Sequence, residues 1–340
     1  MTKMRMLVSI AVALALLLAL MPTAAFAAEE GSASGQFTVG NVDPAVDAVA
    51  LVDTGEVAVT AMTPQVEYNV KVDVTDANTL DDLNTVEVTI FYDADGTYAA
   101  GEETGAADTQ TRAILTCTVA ATPTWSIDPS ASTTWVLVEA NCVQPALTGT
   151  SGTFKFHFKA GKVATETVAP AKWHIYAEAD DGGGTPGSNT LENRTMNWYG
   201  EITVNTASVD WGTVNPGLDF GDVGSDETGI SVTYIANGAY DEKVAATGTW
   251  TGGSGNATLD ATGTCASADE FALKADDTAT LASAVLVDAS PTYVAIDDTG
   301  VQTAEAGDTV AINTLWLKLA TIFSEDTYSG TIYYQIADGS

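Results

Sequence analysis

The sequence predicts an all-β protein that consists of two tandem antiparallel, immunoglobulin-like β-sandwich domains. Short segments of alternating or β-branched apolar residues recur along the whole chain, and clusters of Gly, Pro, Asp and Asn separate them. No segment has the apolar period of an amphipathic helix. Apolar residues make up 46% of the chain, which is enough to fill two packed cores.

The N-terminus has the pattern of an export signal. Lys3 and Arg5 precede an aliphatic run over residues 7–20, and Ala25-Phe26-Ala27 supplies small residues at a cleavage site. We therefore predict a signal peptide over residues 1–27, cleavage before Ala28, and a secreted, cell-surface location. The alternative is an uncleaved anchor, but the apolar run is shorter than the ~20 residues of a spanning helix. The mature chain is expected to have no membrane span.

The remaining chain divides into three predicted parts. Residues 28–48 are expected to be extended or flexible, residues 49–200 to form the first sandwich domain, and residues 201–340 the second. A stretch rich in Gly, Pro and Ser over residues 182–188 precedes this boundary, although residues 195–199 could still add a last strand to the first domain. The predicted strands of the first domain are 56–60, 66–74, 86–91, 114–119, 135–139, 153–159 and 173–178. Those of the second are 202–209, 230–234, 244–250, 271–274, 293–296, 315–319 and 331–336.

Residues 153–159 have the clearest strand pattern. Alternation with a period of two places apolar side chains on one face and polar side chains on the other, which predicts a half-buried strand. The two sets are Phe154, Phe156 and Phe158, and Lys155, His157 and Lys159.

The chain is strongly acidic, with 45 Asp and Glu residues against 12 Lys and Arg and a formal net charge of -33. Such a charge repels nucleic acids and anionic membranes, so neither is an expected partner. It leaves three interpretations open, namely a surface that holds cations, a surface adapted to high salt, and a surface that meets a basic partner.

Calcium is the expected cofactor if the chain has one. Asp93, Asp95 and Glu102 match positions 3, 5 and 12 of a calcium-binding loop, and Gly96 matches the glycine at position 6. Phe91 supplies no ligand at position 1, and no helices flank the segment. The alternative is an acidic hairpin loop. Aspartate pairs such as Asp180-Asp181 are interpreted as solvated turns.

Three cysteines in an exported chain raise the question of a disulfide. If residues 114–119 and 135–143 formed a hairpin around residues 128–131, Cys117 and Cys142 would lie opposite each other. We therefore predict a Cys117–Cys142 disulfide, with two buried free thiols as the alternative. Cys265 is left over, either buried or available to another chain.

Two further sets of residues are candidates for modification or contact. Asn193 and Asn256 begin Asn-x-Thr sequences in predicted loops and are candidate glycosylation acceptors, although such sequences also arise by chance in a Thr-rich chain. A cluster of lysines interrupts the acidic field and could dock on the acidic face of a neighbouring subunit, or simply form a solvated strand face. The cluster comprises Lys155, Lys159, Lys162 and Lys172.

Two parts of the sequence resemble known surface proteins. Residues 207–217, the pair Asn237-Gly238 and residues 328–334 are similar to a β-sandwich module of exported archaeal and bacterial surface-layer-like proteins. Residues 72–76, which lead to Asp81-Asp82-Leu83, resemble immunoglobulin-like surface domains. The resemblance implies a non-catalytic structural role in a coat, array or extracellular filament, with self-assembly or other surface proteins as partners.

Catalytic motifs are absent from the sequence, and we expect the protein not to be an enzyme. His157 and His174 both fall in predicted strands. A secreted glycoside hydrolase stays open because carboxylates are abundant. An adhesin or carbohydrate-binding module is the main alternative, and it would use exposed aromatic side chains. The candidates are Trp125, Trp135, Trp198 and Trp250, whose burial would count against this alternative.

Overall fold

The computed structural model describes residues 34–339 and Ala11, apart from the side chains of residues 297–299 and 310–312. The predicted signal peptide therefore lies outside the described residues except for Ala11. Residues 34–40 belong to an N-terminal unit and have no regular secondary structure. Residues from Asn41 onward form one compact unit. This unit is all-β, which confirms the predicted fold class.

Ten strands form what we call the first sandwich. They are β1 (Ala45–Asp53), β2 (Ala61–Met62), β3 (Glu67–Thr75), β4 (Thr85–Asp93), β5 (Arg112–Thr118), β6 (Thr124–Asp128), β7 (Val136–Leu137), β8 (Ser151–Lys159), β9 (Lys172–Asp180) and β10 (Gly187–Met196). Two short 3-10 helices, Leu80–Asp82 and Glu139–Asn141, lie between strands.

The first sandwich has a four-stranded sheet in the order β1-β3-β8-β7 and a six-stranded sheet in the order β2-β10-β9-β4-β5-β6. Both sheets contribute to one core, because alternate side chains of each strand point inward. The predicted face of β8 is confirmed, since Phe154, Phe156 and Phe158 are fully buried. Trp173 from β9 packs in the same core.

Ten more strands form the second sandwich. They are β11 (Gly200–Val204), β12 (Asp226–Ala236), β13 (Tyr240–Ala246), β14 (Thr249–Thr251), β15 (Asn256–Leu259), β16 (Glu270–Asp276), β17 (Val285–Leu286), β18 (Val294–Gly300), β19 (Asp308–Leu319) and β20 (Ile332–Asp338).

The larger sheet of the second sandwich runs β11-β12-β19-β16-β15-β14, with β17 paired to β16, and the smaller runs β18-β13-β20. Tyr234 and Leu273 from the larger sheet meet Val244 from the smaller sheet in a shared core. The strands of the two sandwiches divide at residues 197–199, and none of the four sheets includes strands from both sides of that point. That each sandwich is an independent, immunoglobulin-like domain stays a prediction.

Several elements differ from the sequence-based expectation. Strand β1 begins inside the segment expected to be extended or flexible, and β10 occupies a polar stretch expected to be a loop. The predicted strand at residues 135–139 is reduced to Val136–Leu137. Two pairs are parallel rather than antiparallel, β2 with β10 and β15 with β16. Among the described residues, no helix is both long and apolar enough to cross a bilayer.

Candidate metal centre

Three aspartates from separate segments meet at one end of the first sandwich. Asp76 follows β3, Asp82 ends the 3-10 helix Leu80–Asp82, and Asp181 follows β9. One carboxylate oxygen from each residue lies within 4.8 Å of the other two. Strands β3 and β9 belong to different sheets, so the sandwich itself brings these carboxylates together. We call this group the acidic cluster.

Asp76 is the buried member of the acidic cluster, with only 1% of its surface exposed, whereas Asp82 is exposed and Asp181 half-buried. Its Oδ1 accepts a hydrogen bond from the backbone N–H of Asn78 at 2.7 Å. Its Oδ2 has no hydrogen-bond partner among the described residues. A buried carboxylate oxygen without a partner is costly, because it has lost its water and gained nothing in return.

Two carboxyl groups of the acidic cluster, those of Asp76 and Asp181, have pKa values that are shifted in opposite directions. Burial raises the pKa of Asp76, and the nearby charges of Asp82 and Asp181 raise it further. In contrast, a hydrogen bond from the backbone N–H of Gly183 and another from Asn41 hold the pKa of Asp181 below its ordinary value. Asp181 is thus held as an anion beside a buried carboxyl group that disfavours its own charge.

The chain that leads into β1 closes over the acidic cluster. Asn41 Nδ2 donates to Asp181 Oδ2 at 2.8 Å, and the backbone N–H of Val42 donates to Asn78 Oδ1 at 2.7 Å. The approach is so close that a Cβ on Gly184 would lie 1.8 Å from Asp43 Oδ1, so a larger residue there would displace the Asp43 side chain. Three segments of the chain, 41–43, 76–82 and 181–184, are therefore in contact around the carboxylates.

The carboxylates of the predicted calcium loop, Asp93, Asp95 and Glu102, each have local contacts in the structure. Asp93 Oδ2 faces His174 Nε2 at 3.4 Å, Asp95 Oδ1 accepts from the Thr97 N–H, and Glu102 Oε2 accepts from the Ala99 N–H. Within the described part of the chain, the group with facing carboxylates is the acidic cluster instead. Among the described residues these three carboxylates do not form a group that faces one point, and calcium binding by the predicted loop stays a prediction.

The interpretation of Asp180-Asp181 as a solvated turn was incomplete. Asp180 Oδ1 does accept from the N–H of Gly182, as a turn aspartate does. Asp181 also joins the acidic cluster, whose other members lie far away in sequence. The only local signal for this was the concentration of Asp and Asn at residues 76–84, which no spacing rule connects with Asp181.

All three cysteines are free thiols in the structure, so the predicted disulfide is not confirmed. The hairpin behind that prediction is wrong, because β5 pairs with β6 and places Cys117 opposite Trp125. Cys142 lies beside β8, where its sulfur is 3.3 Å from the His157 backbone nitrogen. The two thiols are nevertheless close. Burial raises the pKa of Cys117, and the electrostatic interaction with Cys142 raises it further.

The predicted lysine cluster does not form a single patch. Lys155 Nζ pairs with Glu56 at 2.7 Å, and Lys162 Nζ pairs with Glu201 in the second sandwich at 2.7 Å. Lys159 lies opposite Glu67 in the four-stranded sheet, whereas Lys172 begins β9 in the other sheet. Lys155 and Lys162 are thus used within the chain, and a contact with a second copy stays a prediction.

Both candidate glycosylation sites lie in strands rather than in the predicted loops. Asn193 is in β10, at an irregularity where its φ is 63°, and Asn256 is the first residue of β15. Both side chains are exposed. Their use as acceptors stays a prediction.

The tryptophans are mainly part of the cores. Trp135 is 2% exposed, Trp125 packs edge-on against Phe156 with ring centroids 5.1 Å apart, and Trp198 Nε1 donates to the Ala239 carbonyl at 2.9 Å. Trp250 also packs against the second core. Trp135 is therefore not available to a carbohydrate, whereas Trp125, Trp198 and Trp250 are only partly buried.

A cavity of about 560 Å³ lies in the second sandwich beside Trp211 and Trp250. Phe323 and Tyr328 line it as well. The two indole N–H groups have no hydrogen-bond partner among the described residues. One side of Trp250 is covered by Gly330, where an added Cβ would lie 2.1 Å from the indole ring.

The two histidines are placed differently. His174 is fully buried beneath the rings of Phe91 and Tyr98, with centroids 5.5 and 5.8 Å away, so a substrate cannot reach it. His157 Nδ1 lies 2.9 Å from Glu67 Oε1 and is partly exposed. A hydrogen bond from Asn141 and the contact with His157 lower the pKa of Glu67.

Comparison with known proteins adds no functional assignment, since no protein-family model and no curated protein sequence matches the chain. The acidic cluster and the cavity therefore have to be interpreted from their own chemistry.

Proposed function

We propose that the chain is a secreted, non-catalytic structural protein of the cell surface, a subunit of a surface-layer-like coat, array or extracellular filament. The acidic composition, the N-terminal export pattern and the all-β fold support this proposal. The observation that carries it is the junction between the two sandwiches, which several side-chain hydrogen bonds span.

The connection between the sandwiches is short, and it is hydrogen-bonded to Met62 on one side and to Asn237 on the other. Only residues 197–199 separate β10 from β11. The buried side chain of Asn237 donates from Nδ2 to the carbonyls of Ala164 and Asn197, both at 2.9 Å, and its Oδ1 accepts from the N–H of Tyr199 at 2.7 Å. One amide side chain thus joins both sandwiches and their connection.

Side chains of the second sandwich strengthen the junction further. Glu305 accepts hydrogen bonds from Ser132 Oγ at 2.6 Å and from the Thr134 N–H at 2.8 Å. Gln302 Nε2 donates to the Val163 carbonyl at 2.7 Å. Flexible tethers are typical of modules that search for separate ligands, whereas a fixed junction transmits orientation from one sandwich to the other. A subunit of an ordered assembly needs the second property.

Electron microscopy of the purified mature chain, with calcium and with chelator, tests the proposal. We expect ordered arrays or filaments in at least one condition, and we expect antibodies to label the outside of the source cells. Monodisperse single chains in every condition, together with absence from the cell surface, would overturn it.

A carbohydrate-binding module is the second candidate, and the cavity beside Trp211 and Trp250 favours it. Aromatic rings that line a cavity are the groups on which sugar rings pack, and Trp211, Phe323 and Tyr328 line this one. A glycan array with wild-type chain and Trp211→Ala tests it. Binding that depends on Trp211 would support this candidate over the structural one.

A further inference from the structure

We propose that the acidic cluster of Asp76, Asp82 and Asp181 is a calcium-binding site that fastens the entry of β1 to the first sandwich. The proposal concerns different residues from the calcium loop expected from sequence, and it stands whether or not the chain forms a coat. Two independent observations support it, namely the convergence of three carboxylates and the buried oxygen of Asp76 that has no partner.

The geometry suits a single ion. Three oxygens that lie within 4.8 Å of one another leave room for one Ca²⁺ at no more than about 2.8 Å from each, and small side-chain rotations would bring them to its usual ~2.4 Å. Asp76 Oδ2 belongs to a carboxylate that faces the other two and lacks a donor among the described residues. A cation supplies the missing partner and also relieves the repulsion among three negative charges.

The ligand type selects calcium over other common ions. The three donors are all carboxylate oxygens, with no sulfur or imidazole, which excludes the preferred ligand set of structural zinc. Magnesium requires a tight octahedron and keeps several waters, whereas calcium accepts irregular arrangements of six to eight oxygens. Water can complete the shell on the side of Asp82, which is exposed.

The position of the site gives the ion a structural task. Asp181 already holds Asn41, and Asn78 holds Val42, so the segment before β1 is tied to two sides of the acidic cluster. An ion shared by Asp76, Asp82 and Asp181 would fix the two loops that hold this segment. Calcium would therefore couple the N-terminal entry of the compact unit to both sheets of the first sandwich.

Calorimetric titration of the chelator-treated full chain with CaCl₂ in ~150 mM salt, which screens diffuse binding, tests the proposal. We expect a saturable site with a dissociation constant of ~10⁻⁵ to 10⁻³ M, in the range of weak sensors and extracellular modules. Asp82→Asn should weaken it at least ~10-fold, because even indirect partners of a metal site cost that much. The matched comparison is Asp95→Asn, which removes the same charge from the loop that the sequence predicts to bind calcium. Because the proposed site does not include Asp95, this variant should leave the affinity within about twofold.

Thermal unfolding supplies a second measurement. With chelator, Asp82→Asn should unfold at the same temperature as wild type or higher, because it removes repulsion. With calcium, wild type should gain a rise in unfolding temperature that Asp82→Asn lacks. Hydrogen exchange at residues 41–43 and 76–82 should slow with calcium in wild type and Asp95→Asn only. Absence of a saturable site, equal affinity for MgCl₂, or an equal loss in Asp95→Asn would overturn the proposal.

Discussion

The Glu305 carboxylate in the second sandwich accepts a hydrogen bond of 2.8 Å from the backbone N–H of Thr134 in the first sandwich. The same oxygen accepts from Thr134 Oγ1 and from Ser132 Oγ, so one carboxylate binds a whole turn of the neighbouring sandwich. Burial alone would raise the pKa of Glu305, but these hydrogen bonds outweigh it and hold the pKa below its ordinary value.

Replacement of Glu305 should weaken the junction. Glu305→Ala leaves the donors of Ser132 and Thr134 without their acceptor, so we expect a loss of ~2 kcal/mol in the free energy of unfolding. Glu305→Gln keeps an acceptor and loses the charge, so about half that loss is expected. Urea unfolding at pH 7 measures both. Equal stability of Glu305→Ala and wild type would contradict this role.

The junction should also weaken in acid. Because the pKa of Glu305 is lowered by folding, its contribution is complete above the ordinary value of 4.5 and is lost as the pH falls through the folded-state pKa. The difference in unfolding free energy between wild type and Glu305→Gln should therefore shrink below pH 4.5. A difference that stays constant from pH 7 to pH 3 would contradict the assignment.

Glu242 should have the opposite dependence on pH. It is 4% exposed, and burial raises its pKa, while Asn313 Nδ2 donates to its Oε1 at 3.0 Å. A raised pKa favours the neutral form in the folded chain, so its stabilising effect is present below pH 4.5 and declines as the pH rises through the folded-state pKa. Glu242→Gln should match wild type in acid and exceed it by ~1 kcal/mol at pH 8. Chemical unfolding across this range measures the difference, and a less stable variant at pH 8 would count against it.

The cysteines should be unreactive in the folded chain. Burial raises the pKa of Cys117 to about 12 and those of Cys142 and Cys265 to about 11, so little thiolate exists at pH 8. Labelling with a thiol reagent should be slow under native conditions. In denaturant without reductant, three thiols per chain should react. A single reactive thiol that peptide mapping identifies as Cys265 would show instead that Cys117 and Cys142 form the disulfide expected from sequence.

The phenylalanine face of β8 should dominate the first core. Phe156 is fully buried and packs against Trp125, so Phe156→Ala should cost ~3–5 kcal/mol in unfolding free energy. Val57 is 62% exposed, and Val57→Ala serves as the control with an expected effect within ~0.5 kcal/mol. Similar losses in the two variants would show that burial does not decide stability here.

The buried face of a strand could be predicted where apolar and polar side chains alternate strongly. The period-two pattern around Phe154 and Phe158 identifies both the strand and its buried face, because a strand turns successive side chains to opposite sides. Strand β10 lacks that signal. Its residues are mostly polar and half-buried, and its place between β2 and β9 depends on backbone pairing that any sequence can provide.

Residue pairs that depend on strand order could not be predicted in the same way. The hairpin that would pair Cys117 with Cys142 leaves out β6, a short strand in which only Trp125 and Ile127 are apolar. The acidic cluster depends on where β3 and β9 end in three dimensions, and the spacing of residues along the chain does not show this. The sequence therefore predicts acidic loops, and its spacing points to Asp93 but carries no signal for Asp76.

The order of the strands has a consequence for how the chain is made. Every strand of the first sandwich precedes residue 197, so a chain that is exported from its N-terminus has all the pairing partners of this part available first. The second sandwich must wait, because β13 pairs with β20, the last strand. Glu305 comes 171 residues after Thr134, so the contact between them can form only once the second sandwich has followed the first. The junction is thus the last part of the molecule for which all the partners become available.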